Sequence, residues 1–148
     1  MFTEQLTQAL SLPASAIPPA NYAVNNTTAQ LSGAVDMSKF KRVMGIAAMG
    51  VMGGLNALIY FTESNASGGT YTNVASGASV LLDTDNTVAT VEMRADQLGS
   101  GKRFVKLNAL LPGNVNTGTQ LAAVVLGGEA PYKPANANDV NTVSRSVM

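Results

Sequence analysis

The chain has no histidine, no cysteine and no tryptophan, and it carries only nine basic and nine acidic side chains among 148 residues. Histidine is the usual general base and a frequent metal ligand near neutral pH, and cysteine is the other common nucleophile and soft-metal ligand. Without them, most routes to hydrolysis, redox chemistry and zinc binding are closed. We therefore expect a structural or binding protein that is not an enzyme and that needs no cofactor and no metal.

Charge is scarce and also balanced, since the formal net charge at pH 7 is zero. The chain has no excess of positive charge that would indicate a nucleic-acid partner, and its neutrality means that copies of the chain repel one another little. The first twenty residues contain Glu4 and no Lys or Arg, so they lack the basic region of a secretory signal. This composition favours an assembling protein.

One long apolar run, residues 43–61, has two interpretations. Its length and its basic flank resemble a membrane helix, whereas its glycines and the alternation after Leu55 resemble two strands. Four glycines would be costly in a helix in water, and Gly53-Gly54 suits a tight turn. The sequence therefore predicts two buried strands joined in a hairpin at Gly53-Gly54, and no membrane contact.

The rest of the chain is typical of an all-β protein, because short apolar runs alternate with Gly, Pro, Asn and Asp turns. We expect a single-domain antiparallel β-sandwich, jelly-roll-like, over residues 21–130. An N-terminal arm (1–20) with a short helix near residues 4–10 and a C-terminal arm (131–148) flank it. About eight strands are predicted: Ala23–Val35, Phe40–Met49, Leu55–Glu63, Tyr71–Ala75, Ser79–Leu82, Thr87–Arg94, Arg103–Leu111 and Gln120–Leu126.

Alternation within these runs predicts which side chains face the core. The better core faces are Ala89, Val91 and Met93 in one strand, and Val105, Leu107, Ala109 and Leu111 in another. The run Gln120–Leu126 is apolar on both sides, as expected for a central strand or one covered by a partner. The Met44, Met49 and Met52 group is most simply core filler, although methionine also suits adaptable contact surfaces.

The candidate chemical sites are weak. Asp83, Asp85 and Asn86 offer oxygen ligands for Ca²⁺, but the segment lacks the glycine and distal glutamate of an EF-hand, so a polar turn is favoured. The glycines of residues 50–54 are not followed by the Lys-Ser/Thr of a phosphate-binding loop. The charged residues around the Gly99-Ser100-Gly101 turn suggest a structural ion-pair cluster: Arg94, Asp96, Lys102 and Arg103.

Four segments, in this order, resemble a family of small tailed-phage virion proteins. They are VDMSKFKRVMGIAAMG at 35–50, NALIYFTESNASGGTYTNV at 56–74, VEMRADQLGSGKRFVKLNALL at 91–111 and LAAVVLGGEAPYKPA at 121–135. Each motif alone is weakly specific, and their shared order is more specific. The resemblance implies a capsid decoration, or cement, protein that sits on the head surface of a virion, often as a trimer, and binds the major capsid protein. The segment at 21–30 matches no motif of that family.

Both arms and one basic cluster are the expected partner contacts. Those residues are Phe2, Leu6, Leu10, Lys39, Lys41, Arg42 and Tyr132. Two interpretations of the basic residues Lys39, Lys41 and Arg42 are equally compatible with the sequence: contact with an acidic partner surface, and ordinary solvent exposure at the start of a strand. The alternative functions are a surface- or glycan-binding β-module of a phage tail, neck or fibre, and a small membrane protein that uses residues 43–61.

Overall fold

The computed structural model describes residues 6–22, 29–53, 56–111 and 118–131. This part of the chain is almost entirely β, with one short helix, α1 (Leu6–Ala9), and a 3-10 turn at Ala95–Gln97. The strands are β1 (Ile17–Tyr22), β2 (Ala29–Leu31), β3 (Val35–Asp36), β4 (Arg42–Met49), β5 (Ala57–Ser64), β6 (Thr72–Asn73), β7 (Ser79–Leu82), β8 (Val88–Arg94), β9 (Phe104–Leu110) and β10 (Thr119–Gly128).

The strands form two antiparallel sheets that pack face to face. Sheet A has the order β1-β10-β4-β8, and sheet B has the order β2-β9-β5-β6, with β3 also pairing with β9 and β7 with β5. The long strands alternate between the sheets along the chain, so β4 and β8 lie in sheet A and β5 and β9 in sheet B. The expected all-β sandwich is confirmed.

The core lies between the inner faces of the two sheets. The alternation predicted for two strands is confirmed, because Ala89, Val91 and Met93 of β8 are at most 3% exposed, and the inward side chains of β9 are fully buried. Those side chains are Val105, Leu107 and Ala109, followed by Leu111 just after the strand. Strand β10 is central in sheet A, as its two apolar sides predicted.

Close packing in this core requires glycine at position 127. A Cβ atom built there would lie 2.6 Å from the ring of Phe40, which is itself buried. An aromatic ring cannot yield as a flexible chain end does, so a larger residue would displace β10 from the layer beneath it.

The predicted hairpin at Gly53-Gly54 is wrong, because β4 and β5 lie in different sheets. After β4 the chain stays bonded to β10: the N–H of Gly50 donates to the carbonyl of Gln120 (2.9 Å), and the N–H of Gln120 donates to the carbonyl of Val51 (3.0 Å). Asp85 then accepts the N–H of Met52 at 2.8 Å. These bonds hold residues 50–52 against β10 and against the turn before β8, so the chain does not fold back along β4.

Part of the predicted N-terminal arm, residues 1–20, belongs to the sandwich. Strand β1 pairs with β10, Ile17 is only 1% exposed, and Ser11 forms an isolated bridge with Gly127. The predicted boundary at residue 20 therefore falls inside a strand, and the prediction of about eight strands missed β1. The strand predicted over residues 23–35 is described only from residue 29, where it forms β2 and β3, separated by residues 32–34.

The apolar run at 43–61 contributes β4 and the first part of β5. No helix among the described residues is long and apolar enough to cross a membrane. Residues 43–49 and 57–61 of this run are strands, as the two-strand interpretation predicted.

Candidate functional site

The outward side of sheet A carries a contiguous apolar surface on β10 and β4 that reaches β8 at Val88. Strands β10, β4 and β8 place their residues in register, so that Leu126, Met44 and Glu92 form one row across the sheet. The next two rows are Val124, Ile46 and Thr90, and then Ala122, Ala48 and Val88. We call this surface the apolar face, and define it by Met44, Ile46, Ala48, Val88, Ala122, Val124 and Leu126.

These side chains are accessible and do not belong to the core. Val88 is 66% exposed, Ala48 is exposed, and the other five residues of the apolar face are half-buried. Contiguous exposed apolar surface on a soluble domain commonly marks a place where another molecule docks.

Shallow depressions lie at both ends of the apolar face. One, of about 370 Å³, lies between α1 and the strand ends and is lined by Leu10, Arg42, Met44, Glu92 and Leu126, among others. The second, of about 390 Å³, lies at the opposite end, against Asn21, Ala48, Gln120 and Ala122. Side chains of a partner can enter such depressions and fix its position along the sheet.

Ion pairs border the apolar face at the first depression. The Arg42 guanidinium lies 3.1 Å from a carboxylate oxygen of Glu92 and 3.2 Å from one of Glu129. Arg94 pairs with Asp96 at 3.1 Å. All these side chains are about half exposed or more, so the two arginines and three carboxylates at this end are paired but remain hydrated.

The structure brings together only two of the expected contact residues. Leu10 and Arg42 line the same depression. Leu6 is 76% exposed, and Lys39 and Lys41 are exposed in the segment between β3 and β4, away from that depression's lining. Phe2 and Tyr132 lie outside the described residues.

The outward side of sheet B has a different chemistry, because its polar groups bond to one another. Asn108 donates from its amide nitrogen to the Thr62 hydroxyl at 2.7 Å and to the Lys106 carbonyl at 3.0 Å. Both Asn108 and Thr62 are buried, at 5% and 6% exposure. The Lys106 ammonium lies 4.6 Å from the ring centroid of Tyr71, within cation–π distance.

A second polar group on sheet B joins β3 to the start of β9. Arg103 donates from two nitrogens to the two carboxylate oxygens of Asp36, at 2.8 and 2.6 Å, and Ser38 adds a hydroxyl and a backbone donor. The hydrogen bonding of Arg103 is the largest effect and holds the pKa of Asp36 well below its usual range. Burial opposes this lowering, and the two hydrogen bonds from Ser38 and the charge of Arg103 add to it. Arg103 also lies 5.3 Å from the ring centroid of Phe104. The predicted cluster of Arg94, Asp96, Lys102 and Arg103 is therefore not a single group: Arg94 pairs with Asp96, Arg103 pairs with Asp36, and Lys102 belongs to neither pair.

The segment with Asp83 and Asp85 is a polar turn. Asp85 accepts a hydrogen bond from the N–H of Met52, and Asp83 accepts one from the hydroxyl of Thr84 at 3.0 Å. Asn86 has a positive φ of 56°. Within the four described stretches, no group of three or more acidic residues is placed to hold a metal ion. The turn interpretation is confirmed, and its hydrogen bonds tie the end of β4 to the start of β8.

Sequence reasoning missed most of the apolar face. Met44 was assigned to the core, yet its side chain points outward in register with Leu126. The signal was present in part, because Gln120–Leu126 is apolar on both sides and Met44 and Ile46 alternate with the core residues Val43 and Ala47. The sequence alone does not show the register between β10, β4 and β8, which brings these positions together.

No known protein-family model matches this chain, and a comparison with curated proteins finds no similar sequence. The function is therefore inferred from the motifs and from the apolar face.

Proposed function

We propose that this protein is a non-enzymatic structural protein of a phage virion, a decoration protein that binds the outer surface of the head and stabilises it. The ordered motifs between residues 35 and 135 support this proposal from the sequence. The observation that carries it is the apolar face, a three-row surface without central charge on one side of a compact sandwich.

A partner that covers the apolar face gains free energy of binding from the apolar area that it buries. Burying apolar surface contributes about 25 cal/mol per Å², so covering three strands of apolar side chains with a shell protein favours attachment. The ion pairs at Arg42 form a polar border of the kind found around protein–protein contacts. Repeated copies, which we propose to be homotrimers, would multiply weak individual contacts into stable attachment to the major capsid protein.

The decisive experiment is co-sedimentation of the purified full chain with phage heads that lack it. Val124→Lys places a charge in the middle row of the apolar face, where it must be desolvated on docking. We expect an affinity loss of about 100-fold or more, equivalent to about 3 kcal/mol. The matched control is Leu81→Lys: Leu81 is 56% exposed on the outward side of sheet B, and we expect its substitution to leave binding unchanged.

Circular dichroism and thermal unfolding of both variants verify that each remains folded, and light scattering of the unmodified chain tests the trimer. Equal head binding by the two variants would contradict the assignment of the apolar face. Failure of the unmodified chain to bind heads, together with binding to glycans or tail components, would favour the tail or fibre alternative.

A further inference from the structure

Strand β8 lies at an edge of sheet A and differs from the other edge strands of the sandwich. Edge strands present unpaired backbone groups, and natural proteins usually interrupt or shorten them. Strand β1 contains two prolines and an irregular register, and β2, β3, β6 and β7 have at most four residues each. Strand β8 has seven consecutive residues, VATVEMR, with neither proline nor glycine. Among the described edges it is therefore the one best suited to pair with another strand.

The hydrogen bonds between β8 and β4 show which backbone groups of β8 are engaged. The N–H of Ala95 donates to the carbonyl of Lys41, and the N–H of Met49 donates to the carbonyl of Thr87, both at 2.9 Å. In an antiparallel pair such bonded positions recur at every second residue. The odd-numbered residues of β8 therefore bond to β4, and the even-numbered residues direct their backbone groups to the edge.

Three even-numbered positions of β8 remain available at this edge. The N–H of Arg94 is accepted by the side-chain oxygen of Gln97 at 2.8 Å, which closes the row at that end. For Val88, Thr90 and Glu92, the part of the chain that the structure describes provides no strand on this side of β8. The open row is therefore symmetric about Thr90.

The charged side chains give the sandwich a basic end and an acidic end. The basic end is where β4 and β9 begin and β8 ends, and every basic residue in the described ranges lies in that half. They are Lys39, Lys41, Arg42, Arg94, Lys102, Arg103 and Lys106. The acidic end is the turn between β7 and β8, where Asp83 and Asp85 are exposed and no basic residue lies near them in the chain. The two ends of β8 thus differ in charge.

Unpaired positive charge lies next to the Arg94 end of β8. The three arginines of the basic end pair with carboxylates of the same end. Lys39, Lys41 and Lys102, in contrast, form no ion pair with another residue of the described stretches, and Lys39 and Lys41 are exposed. The backbone bond between Lys41 and Ala95 keeps Lys41 beside the end of β8.

We propose that two copies of this chain pair through their β8 strands, antiparallel and about a two-fold axis at Thr90. The axis places Thr90 opposite the partner's Thr90, and Val88 opposite the partner's Glu92, so all three open positions of both strands are used. A two-fold contact requires a self-complementary surface of this kind. Directly opposed threonines are favourable neighbours in a sheet.

Charge complementarity favours this orientation. In the antiparallel pair the turn with Asp83 and Asp85 lies beside the partner's Arg94 and Lys41, and the same contact occurs twice. A parallel pair would instead place the basic ends together and the acidic ends together, where like charges repel. The contact closes after two copies, so it is separate from the trimer contact proposed above, and it does not depend on the proposed function.

Hydrogen exchange of individual amides in the full chain, measured at several protein concentrations, tests the pairing. Seven residues on each side make a contact smaller than a standard interface, so we expect reversible pairing. Exchange at Val88, Thr90 and Glu92 should slow at least about 10-fold between dilute and concentrated protein. Exchange at Val91 and Met93, which bond to β4, should stay constant. Fast exchange of the three amides at every concentration, or slow exchange that dilution does not change, would overturn the proposal.

Single cysteines test the register, because the chain contains no cysteine of its own. Thr90→Cys should form a disulfide-linked dimer, since directly opposite bonded positions place their Cα atoms about 5.5 Å apart. Val88→Cys alone should not cross-link, whereas a mixture of the Val88→Cys and Glu92→Cys chains should. Ala48→Cys, exposed on β4, is the matched control and should stay unlinked. Cross-linking of Val88→Cys to itself, or none for Thr90→Cys, would contradict the axis at Thr90.

Charge reversal tests the orientation independently. Asp83→Lys places like charges beside the partner's Lys41 and should weaken pairing at least about 5-fold, with a smaller effect at high salt. The double variant Asp83→Lys, Lys41→Asp restores opposite charges and should recover pairing, and circular dichroism verifies that both variants fold. If the double variant pairs as weakly as Asp83→Lys alone, the two ends do not meet and the antiparallel pair is wrong.

Discussion

The outward sides of the two sheets have opposite chemistry although they belong to one sandwich. Sheet B buries Asn108 and Thr62 against each other and covers the Lys106 ammonium with Tyr71. One outward row across its strands is apolar, Ala29, Leu110, Leu58 and Leu81, and the next row mixes Leu31 and Tyr60 with the polar Asn108. Sheet A has three consecutive rows that are apolar on β10 and β4, and its polar residues in those rows, Thr90 and Glu92, lie on the edge strand β8. Sheet B thus satisfies its polar groups within the chain, whereas sheet A leaves an apolar surface that another molecule can cover.

This contrast predicts that substitutions on sheet B cost stability, whereas those on sheet A cost binding. The largest effect on stability is expected for Asn108→Ala, which leaves the buried Thr62 hydroxyl without its donor. We expect the free energy of unfolding to fall by about 2 kcal/mol, as measured by urea denaturation. The affinity for heads should not change.

The matched substitution on sheet A is Val88→Thr, which keeps the branched shape on an exposed strand position. We expect its free energy of unfolding to stay within about 0.5 kcal/mol of that of the unmodified chain. The double variant Asn108→Leu, Thr62→Val removes both polar partners and should recover part of the loss. If Val88→Thr were as destabilising as Asn108→Ala, the two outward sides would not differ in the way we propose.

The Asp36–Arg103 pair adds a pH dependence to the stability of sheet B. Because the folded-state pKa of Asp36 is held below its unfolded value of about 3.9, its contribution is complete above about pH 5. It is lost as the pH falls below 4 towards the folded-state pKa. Asp36→Asn should therefore be less stable than the unmodified chain at pH 7, and the difference should narrow between pH 5 and pH 2.

Urea denaturation at several pH values measures this narrowing. Arg103→Met removes the partner instead of the carboxylate and should give the same convergence at low pH. Stability curves that stay parallel from pH 7 to pH 2 would show that the pair contributes nothing through ionisation.

The sequence predicted those features of the fold that depend on local pattern. Alternation identified the core residues of β8 and β9 because a strand places successive side chains on opposite sides. It did not predict that β4 and β5 occupy different sheets, since the glycines near residue 53 are compatible with either a turn or a crossover. Long-range register also decided the candidate site: Met44 meets Leu126 across 82 residues, and Asp36 meets Arg103 across 67. Pairings at such separations have no local signature.

The smallest effect is expected at the border of the apolar face, where Arg42 pairs with Glu92 and Glu129. All three side chains are about half exposed, so solvent screens their attraction, and we expect Arg42→Ala to lower the free energy of unfolding by less than about 1 kcal/mol. The same substitution releases two carboxylates beside the apolar face. Its effect on head binding should therefore depend on salt. At low ionic strength the substitution should strengthen binding to a basic partner surface and weaken binding to an acidic one, and at high ionic strength it should leave binding unchanged. Arg94→Ala, in the adjacent pair with Asp96, is the control for charge loss without the release of both acidic groups. A large loss of stability for Arg42→Ala, or a binding change insensitive to salt, would mean that Arg42 acts through packing against the apolar face and not through its charge.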